Sequence, residues 1–377
     1  MAVHVTEIIE KVQRRLADDP AATSPATLAA LIREEAVVIS DVDVLAIMRK
    51  LRDDSIGVGP LESLLAAGDV TDICVNGPDE IYVDRGGGLA RSSLAFSSDA
   101  DVRKLATRLA TSCGRRLDDA QPFADGHITR DDGTMLRFHA VLAPTSHSGT
   151  CISLRVLRSS TATLEQLHAR GAMDTQRLEL LKGVVERRQA FVVVGGTGTG
   201  KTTLLSAMLA AVAKHERIIA IEDTVELTPA HPHVVNLTTR GSNTEGSGEI
   251  SMSDLLRQAL RMRPDRIVVG EIRGAEVVDL LAALNTGHDG GAGTVHANSI
   301  DEVPARLEAL AALGGLDRAA LHSQLAAAVD VVVVMKRTRT GARIVHQIGV
   351  LEGNPVSAKV VWDSTRGPLD GYEELAP

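Results

Sequence analysis

Aromatic side chains are nearly absent from this chain: four Phe, two Tyr and one Trp among 377 residues. Proteins that hold single-stranded nucleic acid stack bases on aromatic rings within a positively charged groove. Here the rings are missing and the formal net charge is −9, so direct nucleic-acid binding is not expected. Cysteine is just as scarce. Cys74, Cys113 and Cys151 are spread widely and show none of the paired spacings that zinc sites and redox motifs use. No apolar run approaches the roughly 18 residues a membrane helix requires. Residues 1–15 interleave charges with Ile8, Ile9 and Val12 and lack the apolar centre of a signal peptide. The expectation is a cytoplasmic protein with reduced cysteines that meets a membrane only through partners.

What the chain does have is aliphatic bulk. Its hydrophobic content is 44%, and its length exceeds what one core usually serves, so two packed domains and a terminal extension are expected. Residues 3–54 follow a helical pattern with polar breaks at Asp18-Asp19-Pro20 and Ser40-Asp41, predicting a helical extension over 1–55. From Gly57 the texture changes. Short alternating runs at 72–75 and 80–83, separated by the turn residues Asn76-Gly77-Pro78-Asp79, read as strands. The series Val102, Leu105, Ala106, Leu109, Ala110, Cys113 reads as a buried helix face, stopped by Gly114. Strands return at 135–142 and 151–157, giving an α+β domain over 56–157.

The polar residues at 158–163 suggest a linker, assigned to 158–172. Over 173–377 apolar strands alternate with helices, at 191–194, 217–221, 234–237, 266–269, 294–296 and 330–335. That alternation predicts an α/β domain with a mainly parallel sheet covered on both faces. A ligand of such a sheet binds at the carboxyl ends of its strands.

One such strand, Phe191-Val192-Val193-Val194, runs into Gly195-Gly196-Thr197-Gly198-Thr199-Gly200-Lys201-Thr202, with Thr203 and an apolar helix following. This fits G-x-x-x-x-G-K-[ST] in the strand-loop-helix context that gives the motif its chemistry. Glycines let backbone N–H groups curl around phosphate, the helix amino terminus favours negative charge, Lys201 reaches the outer phosphates and Thr202 can ligate Mg²⁺. The chain is expected to bind ATP with Mg²⁺. Carboxylates for the metal and for water are sought at neighbouring strand ends. Glu222, Asp223 and Glu226 follow one apolar strand, and Glu271 follows another. Helix capping is the alternative reading, evenly matched for Glu222; Glu226 and Glu271 are assigned to catalysis or the metal. His296 follows Thr294-Val295 at a strand end, where a neutral imidazole can donate a hydrogen bond to a γ-phosphate. His288 is left open between a functional and a structural role. In 135–142 and 151–157 the alternation buries Leu136, Phe138, Ala140, Ile152 and Leu154 and leaves Arg137 and Arg155 on the opposite face. They are either ordinary exposed residues or planar forks for phosphate.

Four strings occur in order: GGTGTGKTT, IEDTVEL (221–227), RMRPDRIVVGEIRG (261–274) and NTGHDGGAGTVHAN (285–298). Together they resemble the Walker A, Asp-box, Glu-type Walker B and His-box elements of the type II/type IV secretion ATPase superfamily. GPLESLL, DICVNGPDEIYVDR, GRRLDD and the loop 240–248 most resemble the tight-adherence (Tad/Flp) pilus assembly ATPases. The resemblance implies a RecA-like domain and a homohexameric ring at the cytoplasmic face of the inner membrane. The ring works with membrane platform proteins to power pilus assembly or protein secretion. It further implies that Glu226 activates water, Glu271 holds the metal through water, His296 senses the γ-phosphate, and Arg240 lies near that phosphate. In the family, arginines of the amino-terminal domain or a neighbouring protomer complete the site; Arg137 and Arg155 are candidates for that part, and which arginines play it does not follow from the residues. The split of roles between Glu226 and Glu271 does not follow from the residues themselves. Where the family often reads Asp-Ala-Arg-Leu, this chain reads Asp125-Gly126-His127-Ile128, which leaves Arg130 or Arg137 to replace that arginine. The family's tetracysteine element is absent. Two alternatives remain: a conjugative type IV secretion ATPase serving DNA transfer, and a nucleotide-binding assembly ring with little hydrolysis.

Overall fold

A computed structural model describes residues 8, 11, 12, 15, 25–36, 39–55, 57–130, 132–157, 161–241 and 247–375. Most of the first 24 residues of the expected extension, the start of the expected linker (158–160) and positions 242–246 of the 240–248 loop lie outside them. The chain divides into two units, residues 1–157 and 158–377.

In the first unit the helices Pro25–Glu35 and Asp41–Ser55 share a small core built from Ile8, Val12, Ile32, Val44, Ile47 and Leu51. A six-stranded antiparallel sheet follows, from β1 (Asp72–Val75), β2 (Ile81–Asp84), β3 (Leu89–Arg91), β4 (Phe123–Thr129), β5 (Met135–Val141) and β6 (Cys151–Leu157), in the order β3-β2-β1-β6-β5-β4. The helix Asp99–Ser112 starts where the Ser98 hydroxyl accepts the Asp101 N–H. Its predicted apolar face is buried in the core with Leu136, Phe138, Ile152 and Leu154 from one face of the sheet. The odd-numbered residues of β5 and β6, Arg137, His139, Ser153 and Arg155, are exposed on the other face. β4 escaped the sequence reading because Asp125-Gly126-His127 has low strand propensity. It forms through seven paired positions with β5. Gly126 is required there, since a β-carbon would come within 2.5 Å of both Cβ and Sγ of Cys113. The departure at position 126 and the cysteine at the helix end are therefore one steric arrangement.

The second unit opens with a helix over Leu164–Ala169, inside the stretch expected as linker; Thr163 and Gln166 form a capping box, and Leu164 and Leu167 are buried. Its sheet has nine strands: β7 (Phe191–Val194), β8 (Ile218–Glu222), β9 (Val234–Thr238), β10 (Arg266–Ile272), β11 (Ala292–Val295), β12 (Val331–Arg337), β13 (Arg343–Glu352), β14 (Ser357–Asp363) and β15 (Gly367–Pro368). The order is β15-β14-β13-β12-β7-β11-β10-β8-β9. Pairings from β12 to β9 are parallel, and β13 to β15 continue the sheet as an antiparallel meander. Alternate residues of the apolar strands enter opposite cores. Phe191, Val193, Ile218, Ala220, Val331 and Val333 face one, with the helices Thr175–Glu186 and Lys201–Ala210. Val192, Val194, Ile219, Ile221, Val332 and Val334 face the other, with the helices Met252–Ala259, Glu276–Leu284, Val303–Leu313 and Arg318–Ala328. Each fully buried Val or Leu contributes about 1.5–3 kcal/mol, so these strands fix the scaffold from which the loops project.

At the amino ends of the strands Arg266, only 1% exposed, is clamped by Glu216 at 2.8 and 3.2 Å and by the Val185 carbonyl at 2.9 Å. Arg188 adds a third contact to Glu216 at 3.3 Å.

Candidate nucleotide-binding site

The loop after β7 lies at the carboxyl end of the sheet. Gly195 opens it at φ +151°, and a β-carbon there would stand 2.4 Å from the Met335 carbonyl oxygen and 2.7 Å from Thr199 Oγ1. Gly200 closes it at φ +96° as the cap residue of the helix Lys201–Ala210. Because glycine has no side chain to cap with, the first-turn N–H groups face the loop, the arrangement that receives an anion. Thr199 donates to the Gly196 carbonyl at 2.8 Å and steadies the curl. Thr197 and Gly198 are exposed at its crest, while Thr202 and Thr203 are half-buried in the first helical turn.

Lys201 is buried, and its Nζ donates to the carbonyls of Gly195 at 3.0 Å and Gly196 at 3.2 Å. Burial pushes its pKa down, while the charges of Glu271 and Glu226 oppose that shift. The lysine thus feels two carboxylates carried by separate strand ends. Glu271 stands at an irregularity between Val269 and Ile272 in the β10–β11 ladder, a feature that re-aims side chains beside sites. His296, directly after β11, places Nε2 3.1 Å from Glu271 Oε1. Burial first and then the Lys201 charge lower the histidine pKa, with Glu271 acting in opposition, so the imidazole is neutral at neutral pH.

Glu222 ends β8 and is buried. Its Oε1 accepts the N–H groups of Glu226 at 3.2 Å and Leu227 at 3.1 Å, and its Oε2 accepts Asn236 Nδ2 at 3.3 Å. A β-carbon on Gly270, next to Glu271, would meet Glu222 Cγ at 2.6 Å. The carboxyl therefore braces the turn that carries Glu226, and burial pushes its pKa up to about 7. Asp223 pairs with Arg273 and accepts the Thr239 hydroxyl at 2.8 Å.

Arg240 is exposed, bridged to Ile250, with Nε donating to the Gly248 carbonyl at 2.8 Å. His288 Nδ1 lies 3.2 Å from the Ala283 carbonyl at the end of its helix, a structural contact. In the first unit Arg137 and Arg155 are directly opposite each other on β5 and β6, with His127 opposite Arg137 and Asp72 opposite Arg155. Arg155 Nε donates to Asp72 Oδ1 at 2.8 Å. Arg130 is engaged by Glu62 at 2.6 Å and Asp132 at 2.7 Å.

Two loop neighbours escaped the sequence reading. Asn298 Oδ1 lies 4.0 Å from where a Gly196 β-carbon would be; it ends the 285–298 string, which was the available signal. Arg343 Nε donates to the Gly198 carbonyl at 3.0 Å, and nothing in its local sequence announces that contact.

Among the described residues no group of three or more His, Cys, Asp or Glu is placed to hold a metal.

The family described as Type II/IV secretion system protein matches residues 54–356. The chain belongs to that family. It is 57% identical over 343 residues, 90% of this chain and 97% of the other, to a putative conjugal transfer protein of Mycobacterium tuberculosis. It is 34% identical to the type IV secretion system protein PtlH of Bordetella pertussis, over 75% of this chain and 90% of that one. Among solved structures it resembles the pilus retraction motor PilT with bound ADP (TM-score 0.56, 20% identity, 84% of each chain). It also resembles the Legionella pneumophila ATPase DotB (0.55, 20%, 75% of this chain and 77% of that one). These likenesses establish the RecA-like fold with its preceding domain.

Proposed function

We propose that this chain hydrolyses ATP and works as a homohexameric motor at the cytoplasmic face of the inner membrane, driving pilus assembly or protein secretion with membrane platform proteins. The observation that carries this reading is the convergence of Lys201, Glu226, Glu271 and His296, carried at or beyond the ends of β7, β8, β10 and β11, on one phosphate loop at the carboxyl end of the sheet. Loop amides from Gly195 to Thr203 and the Lys201 ammonium bind the phosphates. Thr202 and Glu271 hold Mg²⁺, which when bound offsets phosphate charge. Glu222 is left out of the metal set, because its oxygens already serve the backbone of the 222–227 turn. Glu226 orients water and takes its proton, with Glu222 fixing the turn beneath it. His296, neutral, gives its single N–H from Nε2 to Glu271 at 3.1 Å and switches that N–H to the γ-phosphate when ATP is bound. Arg240 supplies a positive fork to the same phosphates.

A conjugative role is the second reading, favoured by the 57% identity to the putative conjugal transfer protein of Mycobacterium tuberculosis and by the 30% identity to the conjugal transfer protein TrbB of Rhizobium radiobacter. The site chemistry is the same in both, and the cargo differs. Pull-down from native membranes separates them: pilin-processing and platform proteins support the first, a conjugation coupling protein the second. For the site itself, ATP turnover by Lys201→Ala, Glu226→Gln and Glu271→Gln should each fall by about two orders of magnitude. Turnover that survives all three changes would sink the assignment.

A further inference from the structure

Glu226, Glu271 and His296 lie at or just beyond the carboxyl ends of β8, β10 and β11, which are on one side of β7 in the sheet order. On the other side of β7 lies β12, and it leads into a tight hairpin with β13. The turn is closed by the Thr338 N–H on the Ala342 carbonyl at 2.7 Å and the Gly341 N–H on the Thr338 carbonyl at 3.0 Å. Residues 336–343, Lys-Arg-Thr-Arg-Thr-Gly-Ala-Arg, carry four basic side chains, no acid and no aromatic ring. A nucleotide with its γ-phosphate toward Glu226, Glu271 and His296 must extend its sugar and base the other way, toward this hairpin.

Arg343 is the hairpin residue that reaches the loop. It begins β13 in register with Arg337, on the strand face that continues through Val345 and Met335 into the core beside the helix Lys201–Ala210. Its stem crosses the cap of that helix: a β-carbon on Gly200 would meet Arg343 Cδ at 3.3 Å and Cβ at 3.9 Å. Its Nε is fixed by the Gly198 carbonyl at 3.0 Å. One of five donors is thereby used to hold a planar group at the edge of the loop, and guanidinium planes stack on flat π-systems. In a chain with seven aromatic residues, none of them in 336–343, an arginine plane is the surface on offer for a base.

Resting on the reading of residues 195–202 as an ATP site, we infer that Arg343 is a specificity-determining residue: its guanidinium, held on the phosphate loop by Gly198, forms the nucleoside-side wall and takes the purine base. The test compares equilibrium binding of ATP, ADP and inorganic tripolyphosphate to the full chain, its Arg343→Ala and Arg343→Lys variants, and Lys201→Ala. Arg343→Ala should weaken ATP and ADP about ten-fold and leave tripolyphosphate unchanged, erasing the preference for the nucleotide. Arg343→Lys, which keeps a donor for Gly198 and loses the plane, should behave the same way. It carries the test should the alanine variant lack the wild-type circular dichroism and melting profile. Equal weakening of ATP and tripolyphosphate would assign Arg343 to loop structure alone and overturn the inference, as would full recovery of the nucleotide preference in Arg343→Lys. Binding of all three ligands unaffected by Lys201→Ala would instead overturn the underlying assignment of the loop.

Discussion

The brace made by Glu222 is the residue-scale feature with the clearest signature. Its carboxyl is buried and pushed up to about 7, above the ordinary value of an unfolded chain. The protonated form is therefore favoured in the fold. Stability from this group is fully present below about pH 4.5 and is lost as pH rises through about 7, an effect on the order of 3 kcal/mol. Urea midpoints of the wild type should fall between pH 5 and pH 8 more steeply than those of Glu222→Gln, and identical slopes would show that Glu222 does not titrate there. At this scale the sequence spoke clearly where a motif ties chemistry to spacing. The strand-loop-helix order around residues 195–202, and the positions of Glu226, Glu271 and His296 at or just beyond strand ends, needed only local context; their chemical roles did not follow from it. Glu222 stayed ambiguous between metal and cap, because its role depends on N–H groups that point to it only after the chain turns at 223–227. Arg343 was invisible: its partner, Gly198, lies 145 positions earlier in the chain.

Among the elements, the strands buried on both faces were legible as continuous apolar runs, and β7, β8, β10 and β12 emerge close to their expected limits. β4 and the meander β13–β15 were not, since half-exposed strands with polar or glycine positions carry weak periodicity and form through their partners. The same limit hid the Arg266–Glu216 clamp, whose members are 50 positions apart. Its geometry makes a graded prediction. Glu216→Ala leaves a buried guanidinium without its counter-charge and should cost about 3 kcal/mol or more in urea unfolding. Arg188→Ala, whose side chain is 41% exposed, should cost under about 1 kcal/mol. A comparable loss from both would mean that burial does not set the strength of the clamp.

For the whole molecule, the sequence separated two textures near residue 158, and the contacts separate units at 157 and 158. The helix Leu164–Ala169 was missed because its six residues are too few to show a period against a polar surround. Each of the four hydrophobic clusters draws its members from one unit. A chain beginning at residue 158 should therefore express as a folded protein with one cooperative thermal transition and retained ATP binding. A broad, non-cooperative melt of that fragment would show that its cores depend on the preceding 157 residues. Genes with such an arrangement are open to exchange. A recombination crossover falling in the codons for 158–160 joins the front of one relative to the back of another with every core inherited whole from a single parent. The unit that carries the phosphate loop can thus be kept while the unit ahead of it is replaced in one genetic step.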